Sequence, residues 1–225
     1  MATRAMASPE RTRVVVPFAA NLQSESPGLR PETRAALEAD GIAAEYVDVS
    51  GSETAYHELL ARVWAEGHGF VVVEHDIVVY PGALAAMWTC PEPWCVTVYR
   101  CNSEYDGYLG CVRFSDALVQ AEPDAMDAAG RLAYGPPPRY WGWVDNRLGQ
   151  VLTDRGYAKH RHWPAVRHLR RYPTVMAWNC TCGAAIPEDV VASGPPPHRC
   201  PTCEREADVS GAHVVSPAGR SVRVG

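Results

Sequence analysis

Lysine is almost missing from this chain of 225 residues: Lys159 is the only one, and the other basic residues are arginines. That bias reads as the codon usage of a GC-rich genome rather than as a functional signal. A surplus of positive charge is missing too. The formal net charge of -5 argues against a body that grips nucleic acid, which would normally be basic. No run of about 18 apolar residues occurs, so no membrane span is expected. The leading MATRAMASPERTR lacks the apolar stretch of a secretory signal, and a cytoplasmic protein is expected. In a reducing compartment the eight cysteines do not read as a disulfide framework, which leaves metal binding open to some of them. What the chain does have is apolar content, 47%. That is enough to bury one domain of ordinary size, with or without a small module.

The order of elements points to an α/β fold. Residues 1–12 read as a disordered lead-in. Val14-Val15-Val16, halted by Pro17, reads as a buried strand. Pro31 to Asp40 reads as a helix, with proline at its start and Gly41 at its end. Ala44 to Val49 is a second strand. A helix follows whose stripe is Tyr56, Leu59, Leu60 and Val63. Gly67 and Gly69 close it, and Phe70 to Val73 is the third strand. Pro81 to Met87 reads as a helix, and Trp94–Tyr99 and Tyr108–Phe114 as strands. A helix opens at Asp145 on the stripe Leu148, Val151, Leu152 and ends at Gly156, before a strand around Tyr157 to Trp163. Strands alternating with helices imply a mostly parallel sheet flanked by helices. After Tyr172 the composition changes and cysteines gather, so the boundaries are 13–172 for the α/β domain and 173–225 for a small module and tail.

The third strand runs into Glu74-His75-Asp76. In open α/β sheets ligands sit beyond the carboxyl ends of strands. Two acids one residue apart in an extended segment share a face, with His75 turned the other way. Such oxygen donors suit Mn²⁺ or Mg²⁺, which take their remaining ligands from water and substrate phosphates.

The segment EHDIVVYPGAL resembles the DxD region of GT-A glycosyltransferases of the family 2 type, with Glu74 where the first Asp is usual. Other segments fall in that family's order. Val14-Val15-Val16-Pro17 is similar to the opening strand at the nucleotide pocket. Tyr46-Val47-Asp48-Val49-Ser50-Gly51-Ser52 is similar to the second-strand acidic segment, with one acid missing. Tyr108-Leu109-Gly110-Cys111-Val112-Arg113 resembles the glycine-containing strand between donor and acceptor. Trp141-Gly142-Trp143-Val144-Asp145 resembles the acceptor-side segment, with Val144 where Glu is common. Gly156-Tyr157, with Pro164-Ala165-Val166-Arg167-His168, resembles the closing segment. The resemblance covers Arg13 to Leu169 and rests on the ordered set, since no single motif is specific.

It implies a transferase that moves a sugar from a nucleotide-diphosphate sugar to a hydroxyl acceptor: a glycan, a protein or a modified nucleic acid. Asp76 would hold the Mn²⁺ or Mg²⁺. Glu74 would contact the metal or the ribose. His168 would be a further ligand or a diphosphate contact, in competition with His160 and His162. Asp48 would touch base or ribose, with Pro17 and Gly110 lining the donor pocket. Asp145 would be the base in an inverting reaction. Each residue also has a plainer reading: Asp145 as a helix cap, Asp48 as turn chemistry, and Trp141 and Trp143 as core rather than sugar platforms.

The tail carries Cys180-Thr181-Cys182 and, after an interval, Cys200-Pro201-Thr202-Cys203. Two close pairs at this separation match tetrahedral zinc spacing. The segment resembles a zinc ribbon holding a structural Zn²⁺, with His198 able to replace one thiol. Cys90, Cys95, Cys101 and Cys111 have no paired spacing and read as buried thiols. Two alternatives stay open. One is a nucleotidyltransferase, although Asn21-Leu22-Gln23-Ser24 is no glycine- and lysine-rich phosphate loop. The other is a non-catalytic protein whose ribbon binds nucleic acid or protein.

Overall fold

A computed structural model of the protein describes residues 13–20, 28–97, 99–101, 104–106, 109–133, 144–162, 166–169, 175–179, 182, 185–187, 199, 203–205, 212–215 and 221–223. Its first half alternates strand and helix as the hydrophobic pattern dictates: β1 (Arg13–Phe18), α1 (Pro31–Ala39), β2 (Ala44–Asp48), α2 (Ala55–Ala65) and β3 (Phe70–Val73). Then come β4 (Ile77–Val78), α3 (Ala83–Trp88), β5 (Trp94–Thr97), β6 (Tyr99–Cys101), β7 (Glu104–Asp106) and β8 (Cys111–Phe114). Three helices follow, α4 (Asp116–Ala121), α5 (Ala125–Ala133) and α6 (Val144–Asp154), and then β9 (His160–His162) and β10 (Arg167–His168). The last strands are β11 (Val175–Asn179), β12 (Ala185–Pro187), β13 (Ala212–Val215) and β14 (Ser221–Arg223).

The principal sheet has six strands in the order β2-β1-β3-β8-β5-β9. β1 pairs parallel with β2 and with β3, and β5 parallel with β9, while β8 runs antiparallel to both β3 and β5. Five strands therefore share one direction and β8 opposes them, which is the mostly parallel sheet expected. β1 and β3 are apolar at nearly every position because both of their faces are covered. Val15, Val72, Val96 and Val112 point to one face, under α2, α4, α5 and α6. Val14, Val16, Val71, Val73 and Cys95 point to the other, under α1 and α3. On the first face Trp64 meets Phe114 edge-on at 5.1 Å between centroids and Phe70 at 6.0 Å. Aromatic pairs of this kind add about 0.5–1.5 kcal/mol beyond the area they bury.

Two expectations need correction. The segment from Trp94 to Tyr99 is not one strand. β5 stays in the sheet, and the chain then enters a separate hairpin in which β6 pairs with β7. The strand expected from Tyr108 begins at Cys111, because Leu109 and Gly110 form a turn. The stretch between β8 and α6, unread in the sequence, holds α4 and α5. α4 is capped by Ser115, whose hydroxyl accepts from Leu118 N at 3.1 Å. The described tail residues form a four-stranded antiparallel sheet, β12-β11-β13-β14.

Candidate active site at the carboxyl ends of the strands

From β1 the chain crosses to β2 on one side and to β3 on the other. The crevice beyond β1 and β3 is thus the switch point at which open α/β sheets bind ligands. Glu74 and Asp76 stand at its rim, but not in extended backbone. Ile77 N–H donates to Glu74 C=O at 3.1 Å, so residues 74–77 make a turn. The turn, rather than strand alternation, brings the two acids together.

Hydrogen bonds from four sides fix this turn. Glu74 N–H donates to Gly110 C=O at 2.8 Å, and Leu169 N–H to Asp76 C=O at 2.7 Å. The carbonyl of His75 accepts from Arg30 N–H at 3.1 Å and from the Thr33 hydroxyl at 2.9 Å. The Tyr56 hydroxyl donates to Glu74 Oε1 at 3.0 Å. Gly110 therefore supports the acids through its backbone.

The three acids differ in electrostatics. Glu74 is half-buried and pushed up to about 7, first by burial and then by the charges of Asp76 and Asp145, with the Tyr56 hydrogen bond opposing. Asp145, in the first turn of α6, is pushed up to about 6 by burial, against the backbone N–H of Asn146 that its Oδ1 accepts at 2.6 Å. Burial would raise Asp76 as well. The hydrogen bond and charge of His168, with the charge of His75, outweigh that and hold its carboxyl below the usual range. His168 Nε2 lies 3.0 Å from Asp76 Oδ2, because β10 pairs with β4 and sets His168 opposite Ile77. The arrangement thus combines one firmly ionised carboxylate with two that exchange protons near neutral pH, which is what acid–base chemistry requires.

The sequence-expected residues fall into two groups. Glu74, Asp76, Asp145 and His168 come together. Asp48 lies across the crevice at the end of β2, exposed, its Oδ1 accepting from Ser50 N–H at 2.9 Å and Ala20 N–H at 3.3 Å. It is a turn residue that also ties the end of β1 to β2, which is the turn chemistry expected of it. Pro17 is buried in β1 beside Val47. The three competing histidines part company: His168 joins Asp76, whereas His160 gathers with His162 near Cys90. Trp141 and Trp143 lie outside the described residues, as do Cys180, Cys200 and His198. Cys182 is exposed and Cys203 half-buried.

Two features went unread in the sequence. Tyr56 was visible only as part of an apolar stripe, although a buried tyrosine hydroxyl seeks a partner, and that partner is Glu74. Beside Asp145 opens a pocket of about 180 Å³ between the sheet and α6, lined by Trp94, Leu109, Val112, Phe114, Leu148 and Lys159 among others.

Among the described residues no helix is long and apolar enough to cross a membrane. The chain matches no protein-family model and no curated protein. Solved structures do match. One is a crystal structure of a protein from STIV, at 10% identity and TM-score 0.44, covering 84% of this chain and 97% of that one. Another is a glycosyltransferase involved in the glycosylation of the major capsid of PBCV-1, at 10% identity and TM-score 0.43, covering 69% and 93%. A third is a CMP:2-keto-3-deoxy-manno-octonic acid synthetase complexed with CTP, at 10% identity and TM-score 0.36, covering 68% and 89%. None of these likenesses is close enough to assign an activity to this chain.

Proposed function

We infer that the protein is a metal-dependent glycosyltransferase that moves a sugar from a nucleotide-diphosphate donor to a hydroxyl acceptor. The observation that carries this reading is the convergence of Glu74, Asp76 and Asp145 at the switch-point crevice. Burial first, and then the charges of Asp76 and Asp145, raise Glu74, and a hard divalent cation would offset both the lost hydration and the repulsion. The donor set therefore fits Mn²⁺ or Mg²⁺.

Asp76 would hold the cation, and His168 would either ligate it or keep Asp76 ionised and oriented. When bound, the cation supplies charge stabilisation for the departing diphosphate. Glu74 would face the cation or the ribose, with Asp48 and the buried edge of Pro17 bounding the nucleotide side. Asp145 stands between the acids and the pocket floored by Trp94, where an acceptor hydroxyl could lie. With its carboxyl near 6, Asp145 is mostly ionised at neutral pH and ready to take that proton. The bond from the anomeric carbon to the acceptor oxygen would form as the bond to the phosphate oxygen breaks. The tail from residue 173 would be a separate module held by one structural zinc on Cys180, Cys182, Cys200 and Cys203.

A thermal-shift screen of nucleoside diphosphates with and without Mn²⁺ tests the reading. A ligand at 100 times its dissociation constant adds about 2.7 kcal/mol. Stabilisation that requires both nucleotide and Mn²⁺ is expected. No such stabilisation by any nucleotide would overturn the reading. Release of pyrophosphate from a nucleoside triphosphate would replace it with nucleotidyl transfer.

A further inference from the structure

We propose that Cys90, His160 and His162 form a second metal site, for a thiophilic divalent cation of the zinc class. It lies on the sheet face opposite Asp145.

The site is built by the edge of the sheet. β9 is the last strand, paired parallel with β5 so that His160 lies beside Cys95 and His162 beside Thr97. Paired residues share a face, and so do i and i+2. Cys95 points into the core under α1 and α3, so both histidines turn toward that side. Cys90 arrives from the other direction, in the turn that ends α3. Its N–H donates to Met87 C=O at 3.2 Å and its C=O accepts from Arg113 Nη1 at 3.2 Å. Those two bonds fix the backbone that carries the sulfur.

The distances suit a metal. Cys90 Sγ lies 3.4 Å from His160 Nδ1. Zinc bonds of about 2.3 Å to sulfur and about 2.0–2.1 Å to nitrogen place tetrahedral S and N ligands about 3.6 Å apart. One ligand atom from each of the three residues lies within 4.8 Å of the other two. His162 Nε2 is buried and meets no hydrogen-bond partner among the described residues. Burial, then His160 and Arg113, hold His162 below its usual range, and the neutral imidazole is the form that ligates. The two rings pack edge to face at 4.7 Å. Cys90 is buried, His162 half-buried and His160 exposed, which gives an ion a way in from solvent. One sulfur and two nitrogens form a soft donor set unlike the oxygens around Asp76, and three protein ligands leave the fourth position for water.

Metal counting on the full chain tests the proposal. The reduced, chelator-stripped protein is titrated with Co²⁺, and the thiolate-to-cobalt charge-transfer band is read. Wild type is compared with Cys90→Ser, His160→Gln and His162→Gln. The tail cysteines are the same in all four, so their contribution cancels in the differences. Each variant should bind one equivalent fewer than wild type, and Cys90→Ser combined with His162→Gln should lose no more than that one. Zn²⁺ should displace the lost equivalent in wild type. Should Cys90→Ser fail to fold, the exposed His160 decides the matter. A folded His160→Gln with wild-type stoichiometry would overturn the site. So would alkylation of Cys90 at a rate that excess Zn²⁺ does not slow, which would leave a bare thiol–imidazole pair. Mn²⁺-dependent nucleotide binding should be unchanged in all three variants, so the failure of this site and the failure of the transferase reading are separate results.

Discussion

The acids beyond β3 and the sulfur and imidazoles beside β9 belong to the same sheet but are assembled in different ways. The acids stand where strands end. There the turn at residues 74–77 leaves the ladder, and backbone groups of Arg30, Gly110 and Leu169, at the ends of α1, β8 and β10, hold it. Burial first, and then the neighbouring charges of Asp76 and Asp145, push the Glu74 carboxyl up, so the centre is primed for a hard, charged ligand. The second cluster stands at the side of the sheet, where a short edge strand offers two histidines to one cysteine. One sulfur and two rings converge there, and His162 Nε2 meets no hydrogen-bond partner among the described residues. One sheet thus provides a charge-driven site at its end and a coordination-driven site at its edge, so each can be altered while the other serves as control.

The largest separation between them should come from Asp145→Asn. Asn is nearly isosteric and its Oδ1 can still accept from Asn146 N–H, so the fold and both metal sites should persist. Transfer should fall by about 10²- to 10⁴-fold, the usual worth of a general base. Donor hydrolysis, with water as acceptor, gives a readout before the natural acceptor is known. Wild-type turnover would remove Asp145 from the mechanism and leave it a first-turn residue of α6.

Asp76→Asn comes next. It should weaken Mn²⁺-dependent nucleotide binding by about 10- to 100-fold, as loss of support at a metal site does, without changing the cobalt stoichiometry. Calorimetry on the two metals separately would show whether the sites are as independent as their positions imply.

A third, smaller effect concerns pH. The Glu74 carboxyl is raised from 4.5 to about 7, so between those values the folded state holds a proton that the unfolded state has lost. Its contribution to stability is fully present below 4.5 and is lost as pH rises through about 7. Asp145 acts in the same sense, between 3.8 and about 6. A divalent cation that relieves the repulsion should therefore raise the melting temperature more at pH 8 than at pH 5. Glu74→Gln should flatten that difference. A Mn²⁺ effect equal at both pH values would argue against the carboxylates as its site.

The smallest effect is expected from Tyr56→Phe. Removing the hydroxyl that Glu74 accepts should cost about 1 kcal/mol and shift the stability–pH curve upward in pH, since Tyr56 is the hydrogen bond that holds Glu74 down.

The difference between the two sites also explains what the sequence could reveal. β1 and β3 were legible because Val14–Val16 and Phe70–Val73 are unbroken apolar runs buried on both faces. The acids were legible because Glu74 and Asp76 follow such a run at once. The geometry that joins them was not, since a turn and an extended segment share the same three letters. α4 escaped notice because it is only six residues long, and α5 because two of its buried positions are the alanines Ala125 and Ala129, which give little periodic contrast. The Cys90 cluster escaped for a different reason: 70 residues separate the cysteine from His160, and only the pairing of β9 with β5 brings them together.

The strand order has a consequence for how the chain is made. β1, β2 and β3 are all complete by residue 73, and nothing in their mutual pairing waits for later sequence. During synthesis they can associate as soon as they emerge. The fourth strand in line, β8, arrives only at Cys111, after β4 to β7 have been made. Until then β3 presents a bare, apolar, β-branched edge, the kind of surface that captures a second copy. Asp145 and His168 come later still. The nascent chain therefore passes through a period in which Glu74 and Asp76 are present without their distant partners. Ribosomal pausing or a truncation between residues 73 and 111 should favour aggregation far more than one placed after residue 169.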